Sequence, residues 1–188
     1  PIGLQLYTLR KPFAADPMGT LERIREVGYD AVEFAAPLDS DFDALAARLR
    51  DIGLDCPSAH VGLGDMAERP DAVLSMARAL GCRYLVMPFV MPDQRDWSAV
   101  IDKLGAFAVR ARAEGLRVAY HHHDFEFEAV DGVRPFDRLT AETDPDLIDF
   151  ELDVYWLGKA GEDPAAMIEK MTGRVKLIHL KDMAEDGG

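Results

Sequence analysis

The sequence predicts an α/β protein whose parallel strands curve into a (β/α) barrel. Three observations lead to this fold class. Short apolar segments alternate with amphipathic segments along the chain. A glycine ends four of the amphipathic segments, at intervals of roughly 30 residues, which is the length of one βα unit. Polar residues stand near the carboxyl-terminal end of nearly every apolar segment. We therefore expect a barrel whose polar groups gather at one face.

The apolar segments are short and are expected to form seven strands. They lie at residues 2–9, 31–35, 54–60, 84–89, 118–123, 148–155 and 175–180. Six helices are expected between them. Phe42, Leu45 and Leu49 recur at helical spacing, and Asp163-Pro164 is typical of the first residues of a helix. Such alternation predicts a parallel sheet with right-handed crossovers.

An open, doubly wound sheet would show the same alternation, and the polar residues separate the two folds. An open sheet gathers ligand groups near one switch point, whereas here most strand ends carry one, as at the top face of a barrel. No glycine-rich phosphate-binding fingerprint follows the first apolar segment. A full barrel has eight strands and about 250 residues. The 188-residue chain is therefore expected to stop after strand seven and to lack its last βα unit.

Composition limits the classes of function. Hydrophobic residues make up 48% and charged residues 29% of the chain, which is typical of a soluble globular protein. The net charge of -13 argues against a nucleic-acid partner, which requires a basic face. The chain shows no apolar span of membrane length and no signal peptide, so we expect a cytoplasmic protein without a membrane partner. Cys56 and Cys82 are expected to be buried packing residues. A homo-oligomer is left open.

Three strand ends carry most of the residues suited to chemistry: YHHHDFEF, ELDVYW and IHLKD. A mixed set of His, Asp and Glu suits one divalent metal ion such as Mn, Co, Zn or Mg. Asp153 and His179 are the strongest candidate ligands. Because side chains alternate along a strand, His121 and His123 should share a face from which His122 is excluded. Structural roles remain open for each of these residues, as core histidines or as a helix cap.

The remaining candidates would bind substrate or move protons. Glu126, Lys181 and His121 are the candidate catalytic groups, and Glu126 is also a candidate metal ligand. The candidate substrate-binding residues are Gln5, Tyr7, Glu33, His60, His123, Glu151 and Trp156. A metal ion beside a carbonyl acidifies the adjacent C–H group, and a carboxylate or imidazole can then take the proton. This set predicts isomerisation or epimerisation of a hydroxy-ketone, or dehydration where a β-hydroxyl group leaves.

Several motifs together resemble the sugar phosphate isomerase/epimerase family of xylose isomerase-like TIM barrels. They are IGLQLYTLR, VGYDAVEF, SAHVG, YHHHDFEF, ELDVYW with AGEDP, and IHLKD. The resemblance runs along the whole chain and implies a single TIM-barrel domain over residues 1–188. It also implies one divalent ion held by Glu, Asp, His and Glu from later strands. Asp153 and His179 match the Asp and His, His121 stands near the first Glu with Glu126 behind it, and the last Glu would lie beyond residue 188.

The resemblance is less specific about the reaction. It implies a metal-dependent isomerase or epimerase acting on a sugar or sugar-like polyol. The tandem histidines are similar to those of inosose dehydratases, so a dehydratase or lyase acting on an inosose or a 3-keto sugar is the alternative. A barrel that binds a sugar without turnover is a third reading.

Overall fold

The structure is a computed structural model that describes residues 2–35 and 37–182. Its seven strands are β1 (Gly3–Gln5), β2 (Ala31–Phe34), β3 (Asp55–His60), β4 (Tyr84–Met87), β5 (Arg117–His121), β6 (Ile148–Asp153) and β7 (Val175–His179). They form one sheet in sequential order, and every neighbouring pair is parallel. The predicted parallel α/β architecture is confirmed.

Helices connect the strands. Within the described residues they are α1 (Arg10–Ala15), α2 (Pro17–Val27), α3 (Phe42–Ile52), α4 (Leu63–Glu68), α5 (Pro70–Leu80), α6 (Trp97–Ala113), α7 (Pro135–Glu142), α8 (Val154–Lys159) and α9 (Pro164–Lys170). Their ends follow local chemistry. The Asp41 side chain accepts a hydrogen bond from the Ala44 backbone at the start of α3, and Gly53 ends that helix with a φ of 65°. No helix among residues 2–35 and 37–182 is both long and apolar enough to cross a membrane.

Six of the seven strands end earlier than predicted, the first by four residues and the others by one or two. The first stops at Gln5, because the chain turns into a 3₁₀ turn at Leu6–Leu9 and then into α1. The sixth stops at Asp153, because this side chain caps α8. It accepts hydrogen bonds from the backbone N–H groups of Tyr155 and Trp156, at 2.9 and 3.2 Å. In both places a local backbone turn ends the strand, although the sequence remains apolar or aromatic.

Contacts across the sheet show that it is curled into a barrel. In a flat sheet with strands about 4.8 Å apart, β2 and β7 would be separated by about 24 Å. Yet the His179 Nε2 atom on β7 lies 2.9 Å from the Glu33 Oε1 atom on β2. On β3, the His60 Nε2 atom lies 2.8 Å from Glu151 Oε2 on β6. These contacts require the predicted barrel curvature and exclude the open sheet.

The outer face of the sheet forms the main apolar core against the helices. Tyr120, Phe136 and Phe150 are among its largest fully buried side chains, and their rings contact one another in a chain. The Cys56 and Cys82 side chains are also buried, with their Sγ atoms 3.8 Å apart. They are the packing residues that the sequence predicted. The inner face is more polar, and its polar groups lead to the site.

Candidate metal centre

Five parallel strands deliver acidic and histidine side chains to the same end of the barrel. Glu33 lies one residue before the end of β2, and His60, His121 and His179 are the last residues of β3, β5 and β7. Glu151 and Asp153 come from the end of β6. Register places His121 opposite Glu151 and Asp153 opposite His179. Because parallel strands share a direction, residues at their carboxyl ends meet at one face.

Four of these residues form a compact group that we call the glutamate–histidine quartet: Glu33, His60, Glu151 and His179. The His60 Nε2 atom lies 2.8 Å from Glu151 Oε2 and 2.9 Å from Glu33 Oε1. The His179 Nε2 atom lies 2.9 Å from Glu33 Oε1 and 3.3 Å from Glu151 Oε2. Both histidines therefore face the same two carboxylate oxygens.

A second layer of hydrogen bonds holds the quartet in place. The Ser58 hydroxyl donates to Glu33 Oε2 at 2.7 Å. The Gln5 amide lies 3.1 Å from His60 Nδ1, the ring nitrogen that points away from the two carboxylates. Ser58 is buried on the inner face of β3, two residues before His60. These two contacts orient the His60 and Glu33 side chains, so that His60 Nε2 and Glu33 Oε1 point toward each other.

A second group, which we call the aspartate–histidine set, comprises His121, Asp153 and His179. The Asp153 Oδ2 atom lies 3.6 Å from His121 Nε2 and 3.7 Å from His179 Nδ1. These separations are too long for hydrogen bonds. The other Asp153 oxygen is committed to capping α8, so Oδ2 is free to face the two rings.

The aspartate–histidine set fits a divalent metal ion. Both ring nitrogens of His121 are buried, and neither has a hydrogen-bond partner among residues 2–35 and 37–182. Buried polar atoms normally have a hydrogen-bond partner or a ligand, so we expect a bound ligand to contact His121. Ligand atoms that share an ion at about 2.1 Å lie up to about 4.2 Å apart, which includes the observed separations. His121, Asp153 and His179 therefore have suitable donor atoms and spacing.

The three histidine rings of the two groups differ in charge. Burial alone would lower the pKa of His60, but the Glu33 and Glu151 carboxylates outweigh it and raise that pKa to about 9. For His179 the Asp153, Glu33 and Glu151 carboxylates likewise outweigh burial and raise the pKa to about 10. Burial dominates at His121 and lowers its pKa to about 4. This ring is therefore neutral at pH 7 and can bind a metal ion directly, whereas binding of the ion by His179 would release the proton of that ring.

The three consecutive histidines divide as the strand alternation predicts. His122 faces the helix layer, where its ring packs against Phe127 and Phe136. Its Nε2 atom accepts a hydrogen bond from the Asp153 backbone at 3.2 Å, and its Nδ1 atom lies 3.1 Å from the His123 carbonyl oxygen. His122 therefore supports the end of β6 from outside the barrel.

An aromatic rim borders the site: Phe89, His123, Phe125 and Trp156. The His123 ring lies at its centre, with centroids 5.0 Å from Phe89, 5.7 Å from Phe125 and 4.8 Å from Trp156. Lys181 extends over Trp156, with its Nζ atom 4.6 Å from the ring centroid. The sequence analysis identified Trp156, His123 and Lys181 as site residues but missed Phe89 and Phe125. Both phenylalanines lie in loops after strands, where no hydrophobic periodicity marks them.

Two predicted site residues are not brought to the metal ligands. The Glu126 carboxylate belongs to neither ligand group in the described part of the chain. It accepts hydrogen bonds from the Tyr120 hydroxyl and the His123 backbone, both at 2.7 Å, because the FEF segment forms a 3₁₀ turn. Tyr120 faces the helix layer, opposite His121, so Glu126 is held on the outer side of β5. Tyr7 is exposed on the turn after β1, beneath the Arg10 guanidinium.

Comparison with curated proteins finds relatives among dehydratases. An inosose dehydratase of Geobacillus kaustophilus (strain HTA426) is 25% identical over 192 residues, covering 88% of this chain and 62% of that relative. An inosose dehydratase of Clostridium tetani (strain Massachusetts / E88) is 34% identical over 98 residues, covering 52% of this chain and 31% of the relative. The chain thus spans less than two thirds of the length of these relatives.

Comparison with solved structures gives the same fold. A sugar phosphate isomerase/epimerase from Parabacteroides distasonis ATCC 8503 superposes with a TM-score of 0.85 at 26% identity, covering 97% of this chain and 79% of that one. Residues 21–188 match the family model of the xylose isomerase-like TIM barrel. This match covers most of the sequence and agrees with the observed order of strands. The chain therefore belongs to the xylose isomerase-like TIM-barrel family.

Proposed function

We propose that this chain carries the metal site and most of the active site of an enzyme that moves a proton next to the carbonyl of a sugar-like hydroxy-ketone. The leading reaction is isomerisation or epimerisation. The observation that carries the proposal is His121, a buried neutral imidazole beside Asp153 and His179 whose two ring nitrogens have no hydrogen-bond partner in the described part of the chain. Such a set suits a divalent ion, whether Mn, Co, Zn or Mg.

His121, Asp153 and His179 would hold the ion in this scheme. A bound divalent ion supplies electrophilic polarisation of the substrate carbonyl and its neighbouring hydroxyl group. The capping bonds from α8 keep Asp153 Oδ1 occupied and direct Oδ2 inward. The aspartate therefore faces the site in one orientation before any ligand arrives.

The rim supplies the remaining functions. The Trp156 and His123 rings offer apolar faces on which the C–H face of a sugar ring can stack. Burial lowers the pKa of His123 to about 3, so its ring is neutral, and its buried Nδ1 atom, which has no hydrogen-bond partner among the described residues, can accept a hydrogen bond from a substrate hydroxyl group. Lys181 carries a positive charge beside Trp156 and can donate a hydrogen bond to a substrate oxygen. We assign these two residues to the binding of substrate oxygen atoms.

Dehydration is the second candidate, and it has a specific observation in its favour. The relative matched over 88% of this chain is an inosose dehydratase. Dehydration begins with the same removal of a proton beside a carbonyl, and differs only when a β-hydroxyl group leaves. The residues of the site suit this first step in both reactions.

Deuterium incorporation tests the shared first step. The chain, loaded with Mn²⁺ or Co²⁺, would be incubated in ²H₂O with a panel of ketoses, 3-keto sugars and inososes, and followed by NMR. We expect exchange at the carbon next to the carbonyl for one substrate class, and at least a 100-fold slower exchange in Asp153→Asn. A new ketose or epimer identifies the leading reaction, and loss of water identifies the second.

The matched control is Asp149→Asn, which changes a buried acid on the same strand at the opposite end of the barrel. It should keep its exchange rate. An inert panel at full metal occupancy would contradict both reactions. In that case a barrel that binds a sugar without turnover becomes the better description.

A further inference from the structure

We propose that Cys56 and Cys82 form a reversible disulfide, and that the oxidant is a small anionic disulfide that enters an arginine-lined cleft beside Cys56. This modification site lies at the amino-terminal ends of β3 and β4, away from the candidate metal centre. It does not depend on the proposed function. The two residues are the only cysteines of the chain, so a disulfide within one molecule must join this pair.

Backbone pairing places the two cysteines opposite each other. Register pairs Ser58 on β3 with Tyr84 on β4, and the same offset along the chain relates Cys56 to Cys82. A backbone hydrogen bond of 2.8 Å between the residues that follow the two cysteines continues this pairing. Neighbouring strands lie about 4.8 Å apart, which is within the Cα separation of about 4.4 to 6.8 Å that a disulfide spans. The backbone therefore already has the spacing that the bond needs.

The two thiols are in contact. Their Sγ atoms lie 3.8 Å apart, and both side chains are buried. Rotation of the side chains can close this gap to the disulfide bond length of about 2.0 Å. The Cys56 Sγ atom also lies 3.6 Å from the Ser58 carbonyl oxygen. Oxidation would remove only this weak sulfur hydrogen bond and the contact between the two thiols.

A surface cleft leads to the pair. It lies between α3 and α5, has a volume of about 530 Å³, and has Cys56 in its wall. Its charged lining residues are Arg50, Arg78, Arg83 and Asp55. Arg78 pairs with Glu114, whereas Arg50 and Arg83 form no salt bridge within the described chain. The cleft is therefore an electropositive region of a chain whose net charge is -13, and it would attract a small anionic reagent.

The chemical step is a thiol–disulfide exchange. The Cys56 sulfur loses its proton and attacks one sulfur of the oxidant, so that the S–S bond of the oxidant breaks and one half leaves as a thiol with that proton. The Cys82 sulfur then attacks the Cys56 sulfur of this mixed disulfide, and the second half leaves with the Cys82 proton. Two protein thiols are oxidised to one disulfide, and the oxidant is reduced to two thiols.

The exchange should be slow. Contact with Cys82 and burial hold the pKa of the Cys56 thiol well above its usual range, and only the thiolate attacks a disulfide. We therefore expect oxidation over minutes to hours rather than seconds. The pair should stay reduced during brief exposure to the oxidant and change state during sustained exposure.

Intact mass spectrometry of the folded 188-residue chain, incubated with glutathione disulfide, follows both steps. We expect the parent chain to lose two hydrogen atoms and to regain them with dithiothreitol. Cys82→Ala should stop at the mixed disulfide, with one half of the oxidant on Cys56. Replacing both Arg50 and Arg83 by Gln should slow the reaction with glutathione disulfide by at least about threefold at low salt. The matched control is neutral hydroxyethyl disulfide, whose rate this double variant should leave unchanged.

The parent chain unfolded in urea is the reference, because both of its thiols are exposed. A folded chain that stays reduced while the unfolded chain is modified would overturn the inference and leave the cysteines as packing residues. Separate adducts on both cysteines, without the internal bond, would also overturn it. An unchanged rate with glutathione disulfide in the double arginine variant would overturn the cleft as the entry path.

Thermal unfolding measures what the bond does to the fold. The disulfide closes a loop between Cys56 and Cys82 in the unfolded chain, so we expect the melting temperature of the oxidised chain to rise by roughly 5 to 10 °C. Cys82→Ala, treated with the same oxidant, should show no such rise. A melting temperature that is unchanged or lower in the oxidised parent would contradict a disulfide that fits the native spacing of β3 and β4.

Discussion

The quartet and the aspartate–histidine set share His179 but differ in how their atoms are satisfied. In the quartet every ligand nitrogen meets an oxygen within 3.3 Å. In the other set the contacts lengthen to 3.6 and 3.7 Å, and His121 has no hydrogen bond within the described chain. The quartet is therefore stable as a network of charges, whereas the second set leaves donor atoms that only a ligand would satisfy.

This difference separates what the two regions do for the fold. The quartet joins β2, β3, β6 and β7 across the barrel, so it holds the curled sheet together. The aspartate–histidine set joins neighbouring strands that are already paired through their backbones. Loss of Glu33, His60 or Glu151 should therefore affect stability first, and loss of His121 should affect metal binding more selectively.

The largest expected effect follows from replacing the shared residue. His179→Ala removes a proposed metal ligand and a partner of both quartet carboxylates, so we expect metal binding to weaken by at least 100-fold and exchange activity to be lost. Competition with a chromogenic chelator measures the affinities. His122→Gln is the control, because this neighbouring histidine faces the helix layer and only supports the Asp153 backbone. An unchanged metal affinity in His179→Ala would contradict the place of His179 among the ligands.

Sequence periodicity predicts much of this architecture. All seven strands were located, and alternation assigned His121 and His122 to opposite faces, because both signals are local to one strand. The pairing of Glu33 with His179 could not be predicted, since the two residues meet only when the sheet curls. The ends of β1 and β6 were wrong because a turn and a capping aspartate stop them within residues of high strand propensity.

Glu126 shows the same limit within the site. Its position just after β5 predicted a residue that folds back to the metal, and the acidic side chain was suited to that role. The 3₁₀ turn instead directs it to Tyr120 on the outer side of the strand. Only the backbone geometry of that turn decides between the two directions. The sequence carries no signal for it.

A second prediction uses Glu126 as a buried acid outside both groups. Burial raises its pKa from 4.5 to about 7, although Tyr120, the His123 backbone and nearby Arg95 oppose that shift. The folded chain therefore binds a proton between these pH values that the unfolded chain releases, so stability falls as pH rises from about 4.5 to 7. Glu126→Gln, which is always neutral, should remove this loss and unfold with up to about 3 kcal/mol more free energy at pH 8.

Urea unfolding at pH 5 and pH 8 measures this effect. The variant should differ little from the parent at pH 5 and should be the more stable protein at pH 8. Its binding of metal should be unchanged at both values, which distinguishes Glu126 from the acids of the two ligand groups. Loss of an ion in Glu126→Gln would restore the role that the sequence predicted for this residue.

The smallest expected effect concerns the support of the quartet alone. Ser58→Ala removes the hydroxyl that orients Glu33, without touching a ligand atom. A hydrogen bond to a charged group contributes about 1.5 to 3 kcal/mol, so we expect Ser58→Ala to unfold with about 2 kcal/mol less free energy and to keep its metal affinity. Urea unfolding and chelator competition measure the two quantities, and Thr143→Ala removes a buried hydroxyl remote from the site as a control. Weaker metal binding in Ser58→Ala would mean that His179 transmits a change in the quartet to Asp153, and that the two groups act as one centre.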